Sequence, residues 1–346
     1  MPSPFFILGS QGSGSTMLRL MLDAHPALAV PPETGFMRLV TAHRWVPFWE
    51  FGGEWHERLG VSDDDLDRRL ADFYGGLFSD YAKRAGKSRW GEKTPYHVWH
   101  VDDIRRLFPD AVFIGLVRHP LGAIGSLARR FDRPVARATW HWTGTTREIV
   151  RQAAGLGDRF ALVRYEELTR EPEPVMRALL EWMGESWSPA VLRHHESAAG
   201  PRVAEGGTRT ADAVDAGRIE RWRRWLDDET REEVLTQTGG WARFLGYGAD
   251  PSEPLEAVSP TSRLASGDDL DRRRAAFPDL DFSPPARPPR DEMLLPKKLR
   301  RRGGARRRRP ASRAEEQARL MAEKLPPSVQ RSIRAARRQR REPDAD

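Results

Sequence analysis

A glycine-rich loop near the N-terminus constrains the fold of this chain more than any other feature. It covers residues 9–16 and reads GSQGSGST. The apolar run PFFIL before it predicts a buried strand, and apolar residues recur at helical spacing in STMLRLMLDAH after it. In such a strand–loop–helix unit, successive backbone amides form a concave site for an anion, which the helix dipole also favours. A Gly/Ser turn that binds nothing is the alternative interpretation.

The loop is close to the nucleotide-binding pattern G-x-x-x-x-G-K-[ST] but departs from it at one position. Ser15 stands where that pattern has its lysine. The lysine normally reaches the β- and γ-phosphates, so its absence argues against an NTPase or a nucleotide kinase. We therefore expect an anion site of another kind, and a P-loop kinase is the less favoured alternative.

The first 250 residues alternate between apolar segments and helical patterns. Residues 111–117 (AVFIGLV) and 160–163 (FALV) predict two further strands. Ser62 is followed by three aspartates and predicts the start of a long helix, because a serine cap and acidic residues stabilise a first turn. This alternation predicts an α/β fold with a central parallel sheet covered by helices on both faces.

The charge of the chain is concentrated in its last hundred residues. The chain has 57 Lys plus Arg residues, 50 Asp plus Glu residues and no cysteine. Residues 251–346 contain 24 of the basic and 15 of the acidic residues, so the first 250 are close to neutral. The overall basicity therefore says nothing about what the first 250 residues bind. The lack of cysteine excludes disulfides, thiolate metal sites and cysteine nucleophiles.

Composition divides the chain into a domain over 1–250 and a Pro/Arg-rich tail over 251–346. The tail includes KKLRRRGGARRRRP, and we expect it to be mostly disordered, with short helices at most. It could contact an anionic membrane or another polyanion through charge, or it could be a solvated charge run; we expect no specific nucleic acid. No apolar run approaches the roughly 18 residues of a membrane span, and no secretory signal is recognisable. We therefore expect a cytoplasmic protein that is peripheral at the membrane only through its tail.

A second candidate anion site follows the strand at 111–117. Arg118 comes directly after that strand, and Ser126 follows eight residues later on the next helical pattern. An arginine and a serine so placed could together bind one phosphate group. An arginine in an ordinary loop is the alternative, so the pair is informative mainly because the glycine loop belongs to the same predicted sheet.

Five short motifs occur in a fixed order along the chain, namely SGST at 13–16, EKTP at 92–95, VRHP at 117–120, Ser126, and RYEEL at 164–168. In this order they resemble the sulfotransferases that use 3′-phosphoadenosine-5′-phosphosulfate (PAPS). Residues 17–34 are further similar to tyrosylprotein sulfotransferases and their bacterial relatives. The resemblance covers residues 4–248 and implies a P-loop-like three-layer sandwich. It also implies transfer of a sulfuryl group from PAPS to a hydroxyl, or an amine, with release of 3′-phosphoadenosine-5′-phosphate (PAP).

The resemblance assigns the binding of PAPS to three groups of residues. The loop residues that would hold the 5′-phosphosulfate are Gly12, Ser13, Gly14, Ser15 and Thr16. Arg118 and Ser126 match the pair that binds the 3′-phosphate, and Tyr165 matches a tyrosine near the adenosine. Arg209 and Arg218 lie in a later basic stretch, where the family closes over the nucleotide.

The same resemblance points to three residues for the chemistry. Glu33 matches the general base of the tyrosylprotein branch, although it could instead support the turn before a helix. Lys93 matches a lysine that contacts the transferring sulfate and the leaving phosphate; the alternative is an exposed lysine at a strand end. His97 could serve as an alternative base, or it could be a structural histidine. Sulfuryl transfer requires no metal ion, and we expect none.

Gly12 departs from the family pattern, which has Arg or Lys immediately before S-G-T-T. Losing that charge-assisted contact removes about 2–4 kcal/mol of transition-state stabilisation if nothing replaces it. Lys93 or another arginine could compensate. Alternatively, the chain could be a catalytically impaired relative that binds PAPS or PAP without transferring sulfate.

Aromatic residues are frequent after the candidate base, at Phe36, Trp45, Phe48, Trp49, Phe51 and Trp55. Such residues usually build core, which is the favoured interpretation. In this family the segment also lies near the acceptor mouth, so it could bind an acceptor with an apolar or stacking surface. The resemblance therefore leaves the acceptor open among a small molecule, a glycan and a lipid.

Overall fold

The computed structural model describes residues 2–44, 55–196 and 212–286. The strands within these ranges are β1 (Phe5–Gly9), β2 (Leu28–Ala29), β3 (Arg89–Lys93), β4 (Val112–Val117), β5 (Phe160–Arg164) and β6 (Ala265–Ser266). They form one sheet in the order β2-β3-β1-β4-β5-β6. All pairings are parallel except that of β5 with β6, which is antiparallel. The predicted parallel α/β sheet is therefore confirmed, with one antiparallel strand added at its edge.

Helices connect and cover these strands. They are α1 (Ser15–Asp23), α2 (Met37–Arg44), α3 (Asp63–Arg84), α4 (Val101–Leu107), α5 (Pro120–Phe131), α6 (Val135–Ala154), α7 (Tyr165–Arg170), α8 (Pro172–Trp182), α9 (Asp228–Phe244) and α10 (Gly267–Arg273). Short 3-10 helices cover Glu57–Leu59, Pro95–His100, Gly157–Arg159, Pro189–Arg193, Ala216–Arg224 and Arg274–Ala276. The predicted cap at Ser62 is confirmed, because its hydroxyl accepts from the Asp65 amide over 3.2 Å. None of the described helices is long and apolar enough to cross a bilayer.

Strand β1 lies in the middle of the sheet and is buried on both faces. On one face, Phe5 and Ile7 belong to a core cluster that includes Leu18 of α1 and Leu179 of α8. On the other face, the Phe6 ring lies among four aromatic rings, those of Phe36, Trp90, Phe108 and Phe113. Side chains alternate along a strand, so a continuous apolar run such as FFILG suits a strand with helices on both sides. The result is the predicted three-layer arrangement.

The packed domain continues beyond residue 250, where the sequence analysis placed its end. Leu162 of β5 pairs with Ala265 of β6, and Leu270 of α10 is fully buried. Gly267 lies so close to α6 that an added Cβ would be 2.1 Å from the Ala153 carbonyl oxygen. The boundary predicted at 250 is therefore too early: proline and charge dominate the composition after 250 and obscure this short apolar stretch. The rest of the predicted tail, residues 287–346, lies outside the described residues.

Candidate active site

The glycine loop joins the end of β1 to α1 in a conformation that requires glycine at two positions. Gly12 has φ +90° and Gly14 has φ +94°, both in the left-handed region. A Cβ at Gly14 would lie 2.4 Å from a ring carbon of Tyr165, and one at Gly12 would lie 2.7 Å from the Ala123 carbonyl oxygen. Helix α1 begins at Ser15, and the Met17 and Leu18 amides donate to the Gly14 carbonyl oxygen, so the Ser15 and Thr16 amides are the ones that can bind an anion at the loop.

Arg118 connects the end of β4 to this loop. Its Nη1 donates to the Gly12 carbonyl oxygen over 3.1 Å, and its Nη2 donates to the Arg218 carbonyl oxygen over 3.0 Å. The guanidinium carbon lies 4.2 Å from the centroid of the Tyr165 ring. The Arg118 side chain is 6% exposed, and its Nε has no hydrogen-bond partner among the described residues. Arg118 therefore supports the loop, and its Nε lies against Gly122 of α5, where an added Cβ would be 2.7 Å away.

The loop and Arg118 line one cavity of about 440 Å³, a size in the range of small-molecule sites. Its lining residues are Gly12, Gly14, Ser15, Thr16, Met17, Arg118, Ser126, Arg129, Arg130, Tyr165, Asp212, Arg218, Arg221 and Trp225. Five of these are arginines and one is an acid, so the cavity favours an anionic ligand.

Eight of the ten residues predicted to bind PAPS line this cavity, namely Gly12, Gly14, Ser15, Thr16, Arg118, Ser126, Tyr165 and Arg218. Ser13 is fully buried and lies behind the lining. Arg209 lies outside the described residues. The Arg218 side chain is ion-paired with Asp212, so its charge is already partly neutralised in this structure.

Lys93 and Glu33 meet beside the loop. Lys93 ends β3 and is fully buried, which excludes the alternative of an exposed strand-end lysine. Its Nζ forms an ion pair with Glu33 Oε1 and donates to Thr16 Oγ1 over 3.3 Å. The Glu33 side chain is 42% exposed. A partly exposed carboxylate is thus held next to a buried ammonium group, which itself contacts the last residue of the glycine loop.

Arg130 brings a further positive charge to this region. It lies on α5 four residues after Ser126, one helical turn further on, and lines the same cavity. Burial lowers the pKa of Arg130, and the nearby Glu33 carboxylate opposes that shift. Arg129, Arg130, Arg221 and Trp225 were not among the predicted site residues. The helical spacing from Ser126 is the signal that could have revealed Arg130.

His97 lies in the core, which corrects its prediction as an alternative base. Its side chain is 1% exposed, and its ring packs edge-on against Phe6 and Phe36. Its Nδ1 lies 2.6 Å from Glu92 Oε2, and that carboxylate is fully buried. A base must reach the acceptor hydroxyl, and a side chain enclosed in this way does not. The structural interpretation of His97 therefore holds.

The aromatic segment after Glu33 contributes to the core where it is described. Phe36 is 4% exposed and packs against Tyr74 and Phe78. Trp55 is partly buried, and its Nε1 donates to the His43 carbonyl oxygen over 2.7 Å. Trp45, Phe48, Trp49 and Phe51 lie outside the described residues. An acceptor mouth formed by this segment stays a prediction.

Glu166 supports the turn that carries Arg118. Its Oε1 accepts from the His119 amide over 3.1 Å, and its Oε2 accepts from the Tyr247 hydroxyl over 2.8 Å. Burial raises the pKa of Glu166 despite the opposing charge of Arg118. The acid of the RYEEL motif therefore stabilises the arginine loop from behind. Among residues 2–44, 55–196 and 212–286, no cluster of three or more His, Asp or Glu side chains could hold a metal ion.

Comparison with known proteins agrees with this geometry. Residues 4–189, more than half of the chain, match the sulfotransferase family. Protein-tyrosine sulfotransferase 2 of Gallus gallus is 28% identical over 288 residues, which cover 76% of each chain. Nodulation protein NoeE of Sinorhizobium fredii is 28% identical over 278 residues, covering 69% of this chain and 64% of that protein.

A solved structure shows the same fold. The sulfotransferase domain of the Synechococcus PCC 7002 olefin synthase superposes with a TM-score of 0.51 and 27% identity, covering 70% of this chain and 95% of that domain. The family match, the relatives and this fold agree with the ordered motifs that line the cavity. The chain therefore belongs to the sulfotransferase family and is a sulfotransferase.

Proposed function

We propose that this sulfotransferase uses PAPS as its donor and transfers the sulfuryl group to a hydroxyl of its acceptor, with release of PAP. The observation that supports this most is the arrangement around one cavity. The glycine loop and the Arg118–Ser126 pair both line it, and the Lys93–Glu33 pair lies at the Thr16 end of the loop. A donor with phosphate groups at two positions matches a cavity with two anion-binding groups.

The chemistry of the lining fits PAPS. Its five arginines match the charge of the donor, and the rings of Tyr165 and Trp225 offer surfaces for a nucleoside. Arg118 contributes a buried positive charge to the lining, which attracts a phosphate group. When bound, PAPS supplies the activated sulfuryl group; binding, orientation and proton removal fall to this chain.

Each of the two residues beside the loop has one role in the transfer. Glu33 accepts the proton of the acceptor hydroxyl as the acceptor oxygen bonds to sulfur. Lys93 Nζ neutralises charge on the bridging oxygen, which keeps the electron pair of the broken sulfur–oxygen bond and leaves with PAP. The first-turn amides of α1 hold the phosphosulfate in line. The transfer needs no further reactant, because the proton goes to Glu33 and the electron pair leaves with PAP.

Arg130 accounts for the missing basic residue at Gly12. It lines the cavity on α5, the same helix whose Ala123 carbonyl leaves no room for a side chain at Gly12. Its charge also interacts with that of Glu33, which supports a role for Arg130 close to the proposed base. We assign to Arg130 the charge stabilisation that relatives of this pattern obtain from the residue before the S-G-T-T loop.

For the acceptor, we propose a hydroxyl on a small molecule, a glycan or a lipid, with a protein tyrosine as the comparison arm because the Gallus gallus relative is named for it.

Two experiments test the proposal. PAP and PAPS should raise the melting temperature of the protein, and ATP with Mg²⁺ should not; the reverse result would indicate a kinase-like site. Labelled PAPS should then transfer sulfate to a component of an extract of the host's small molecules and polymers. Binding of PAP with no transfer to any fraction would favour the catalytically impaired PAPS-binding relative instead.

The basic segment beyond the described residues has a separate proposal. The runs KKLRRRGGARRRRP and QRSIRAARRQRR support electrostatic contact with an anionic membrane surface. Co-sedimentation with vesicles that contain anionic lipid, compared with vesicles of neutral lipid, tests this contact. Equal sedimentation with both would contradict it.

A further inference from the structure

Glu92 is a buried acid that lies outside the cavity but directly next to Lys93 in sequence. It is fully buried, and its register partner on β1 is Phe6, whereas the partner of Lys93 is Ile7. Because side chains alternate along a strand, Glu92 and Lys93 point to opposite faces of the sheet. Lys93 faces the glycine loop, so Glu92 lies on the other face and takes no direct part in binding PAPS.

Two segments of chain contact the carboxylate of Glu92. Its Oε1 accepts from the Thr34 amide over 3.1 Å, from Thr34 Oγ1 over 2.8 Å and from Thr94 Oγ1 over 2.8 Å. Its Oε2 lies 2.6 Å from His97 Nδ1. Burial would raise the pKa of Glu92, but the adjacent His97 and the hydrogen bonds from Thr34 outweigh it and lower that pKa. Glu92 is thus a fixed anionic anchor.

This anchor acts on the residue next to the candidate base. The Thr34 amide belongs to the peptide that follows Glu33, so Glu92 fixes the backbone from which the Glu33 side chain extends. Lys93 holds the Glu33 side chain itself. The Thr94 hydroxyl accepts from the Gly35 amide over 3.1 Å, which extends the contact by one residue. Three consecutive residues, 33–35, are therefore bound by three consecutive residues, 92–94.

The contacts of Glu92 reach from the core to an exposed turn. Thr34 is itself exposed, and two of the four contacts of Glu92 go to it. The remaining contacts, from Thr94 and His97, hold the carboxylate in place from the far side. Thr34 Oγ1 also accepts from the Phe36 amide over 3.3 Å, so the buried charge of Glu92 holds the exposed turn that carries Glu33. Misplacement of a catalytic group by about 1 Å can lower the rate 10²-fold, so contacts that fix the backbone beside Glu33 affect turnover.

We propose that Glu92, held by His97, is a positioning residue that orients Glu33 through Thr34. This inference rests on the proposed role of Glu33 as the base. Glu92 touches neither donor nor acceptor in this scheme; it determines where the Glu33 carboxylate stands relative to the Thr16 end of the loop. His97, enclosed in the core, contributes to catalysis only by fixing Glu92.

The test compares Glu92→Gln and Thr34→Val with Thr34→Ser in the full chain. Thr34→Val removes the hydroxyl contact at an exposed position, so it should fold even if Glu92→Gln does not. Thr34→Ser keeps that contact. We expect kcat for the acceptor found with labelled PAPS to fall by about 10²-fold in Glu92→Gln and by about tenfold in Thr34→Val. PAP affinity and the KM for PAPS should stay within about twofold of the unmodified chain, because neither residue lines the cavity.

Glu148→Gln is the matched control, because Glu148 is also buried but bonds Arg151 and Gln152 on α6. It should lower the melting temperature without changing kcat. Exchange of the Thr34 amide hydrogen, followed by NMR, should become about tenfold faster in Glu92→Gln and stay unchanged in Glu148→Gln. Three results would each overturn the positioning role. The Thr34 amide could exchange at an unchanged rate in Glu92→Gln, the control could lose as much kcat as Glu92→Gln, or Thr34→Ser could lose as much kcat as Thr34→Val. If the unmodified chain failed to bind PAP, the proposed donor would be wrong. The exchange rate of the Thr34 amide would still show whether Glu92 holds the Thr34 backbone.

Discussion

Arg118 donates from Nη1 to the carbonyl oxygen of Gly12 over 3.1 Å, which ties the end of β4 to the glycine loop at the end of β1. The two strands are neighbours in the sheet, so their carboxyl ends meet at the same edge. The groups assigned to the two ends of the donor are therefore parts of one connected unit, and a change at Arg118 affects both.

Replacement of Arg118 by alanine should weaken PAP binding by about 10²-fold or more, because it removes a buried charge-assisted donor and the support of the loop. Isothermal titration with PAP measures this. Arg177→Ala is the control: Arg177 also lies against an aromatic ring, that of Trp187, but on α8 and away from the cavity lining. Equal affinity of the Arg118 variant and the control would contradict the assignment.

Replacement of Glu33 by glutamine should lower kcat by about 10²- to 10⁴-fold, the range for loss of a general base. Lys93→Met should also lower kcat, because it removes the ammonium group that contacts both Thr16 of the glycine loop and Glu33. PAP affinity should change little in the Glu33 variant, since Glu33 does not line the cavity. Activity that survives both substitutions on a known acceptor would show that the base lies elsewhere.

Arg130→Ala should lower kcat by about 10²- to 10³-fold, as expected when one preorganised charge partner of the transition state is removed. Gly12→Arg should not restore it, even though the resemblance implies a basic residue at this position. The Cβ would lie 2.7 Å from the Ala123 carbonyl oxygen at φ +90°, so the loop would have to deform. Steady-state rates of the single and double variants check this. A gain of activity in Gly12→Arg alone would mean that the site lacks a charge that Arg130 does not supply.

Gly14→Ala should reduce PAP affinity by about tenfold or more, because a left-handed backbone and a contact of 2.4 Å with Tyr165 both oppose a side chain. Gly76→Ala is the contrasting change. Gly76 lies in α3 with open space around its Cβ position, so alanine there should stabilise the fold by about 0.5–1 kcal/mol. Urea unfolding measures the stability of both variants, and titration measures their affinity for PAP. Equal PAP affinity of the two variants would show that the loop tolerates a side chain at Gly14.

Two buried histidines should make stability depend on pH. Burial is the main cause that lowers the pKa of His119, and likewise that of His141, to about 4. Because these folded-state values lie below the unfolded value of 6.5, the stabilising contribution is complete above pH 6.5 and is lost as pH falls toward 4. Each histidine removes about 1.4 kcal/mol per pH unit in that window.

Urea unfolding at several pH values between 7 and 4.5 measures the slope. His119→Asn should reduce this slope by the contribution of one histidine, about 1.4 kcal/mol per pH unit. An asparagine oxygen can still accept from the Leu121 amide, as His119 Nδ1 does over 3.3 Å. A free energy of unfolding that stays level from pH 6.5 to 5 would show that both histidines bind protons without cost.

The sequence was sufficient for features that depend on a few adjacent residues. The glycine loop, the cap at Ser62 and the spacing of Arg118 and Ser126 are local patterns, and each lies where it was expected. Lys93 and Glu33 could each be assigned by resemblance. Their mutual contact could not, because it joins segments 60 residues apart and depends on the parallel pairing of β3 with β1.

Burial was the harder property to infer. His97 follows EKTP in sequence and could have faced the site, but the 3-10 turn Pro95–His100 directs it toward Phe6 and Glu92. For the same reason, the burial of Leu264 and Leu270 was not predicted. Both lie within a segment whose average composition is polar and proline-rich. Composition averages over a window, whereas packing depends on single side chains.

The short strand β6 has a consequence for the edge of the sheet. It pairs through only two residues, yet it occupies the outer side of β5, whose five residues are all buried. If the chain ended at residue 250, the amides and carbonyls of β5 would form an open edge, ready to accept a strand from another molecule. By pairing with β5, the segment after 250 covers part of this edge and opposes the addition of a strand from another molecule. Two paired residues are enough for this coverage, and composition does not reveal them.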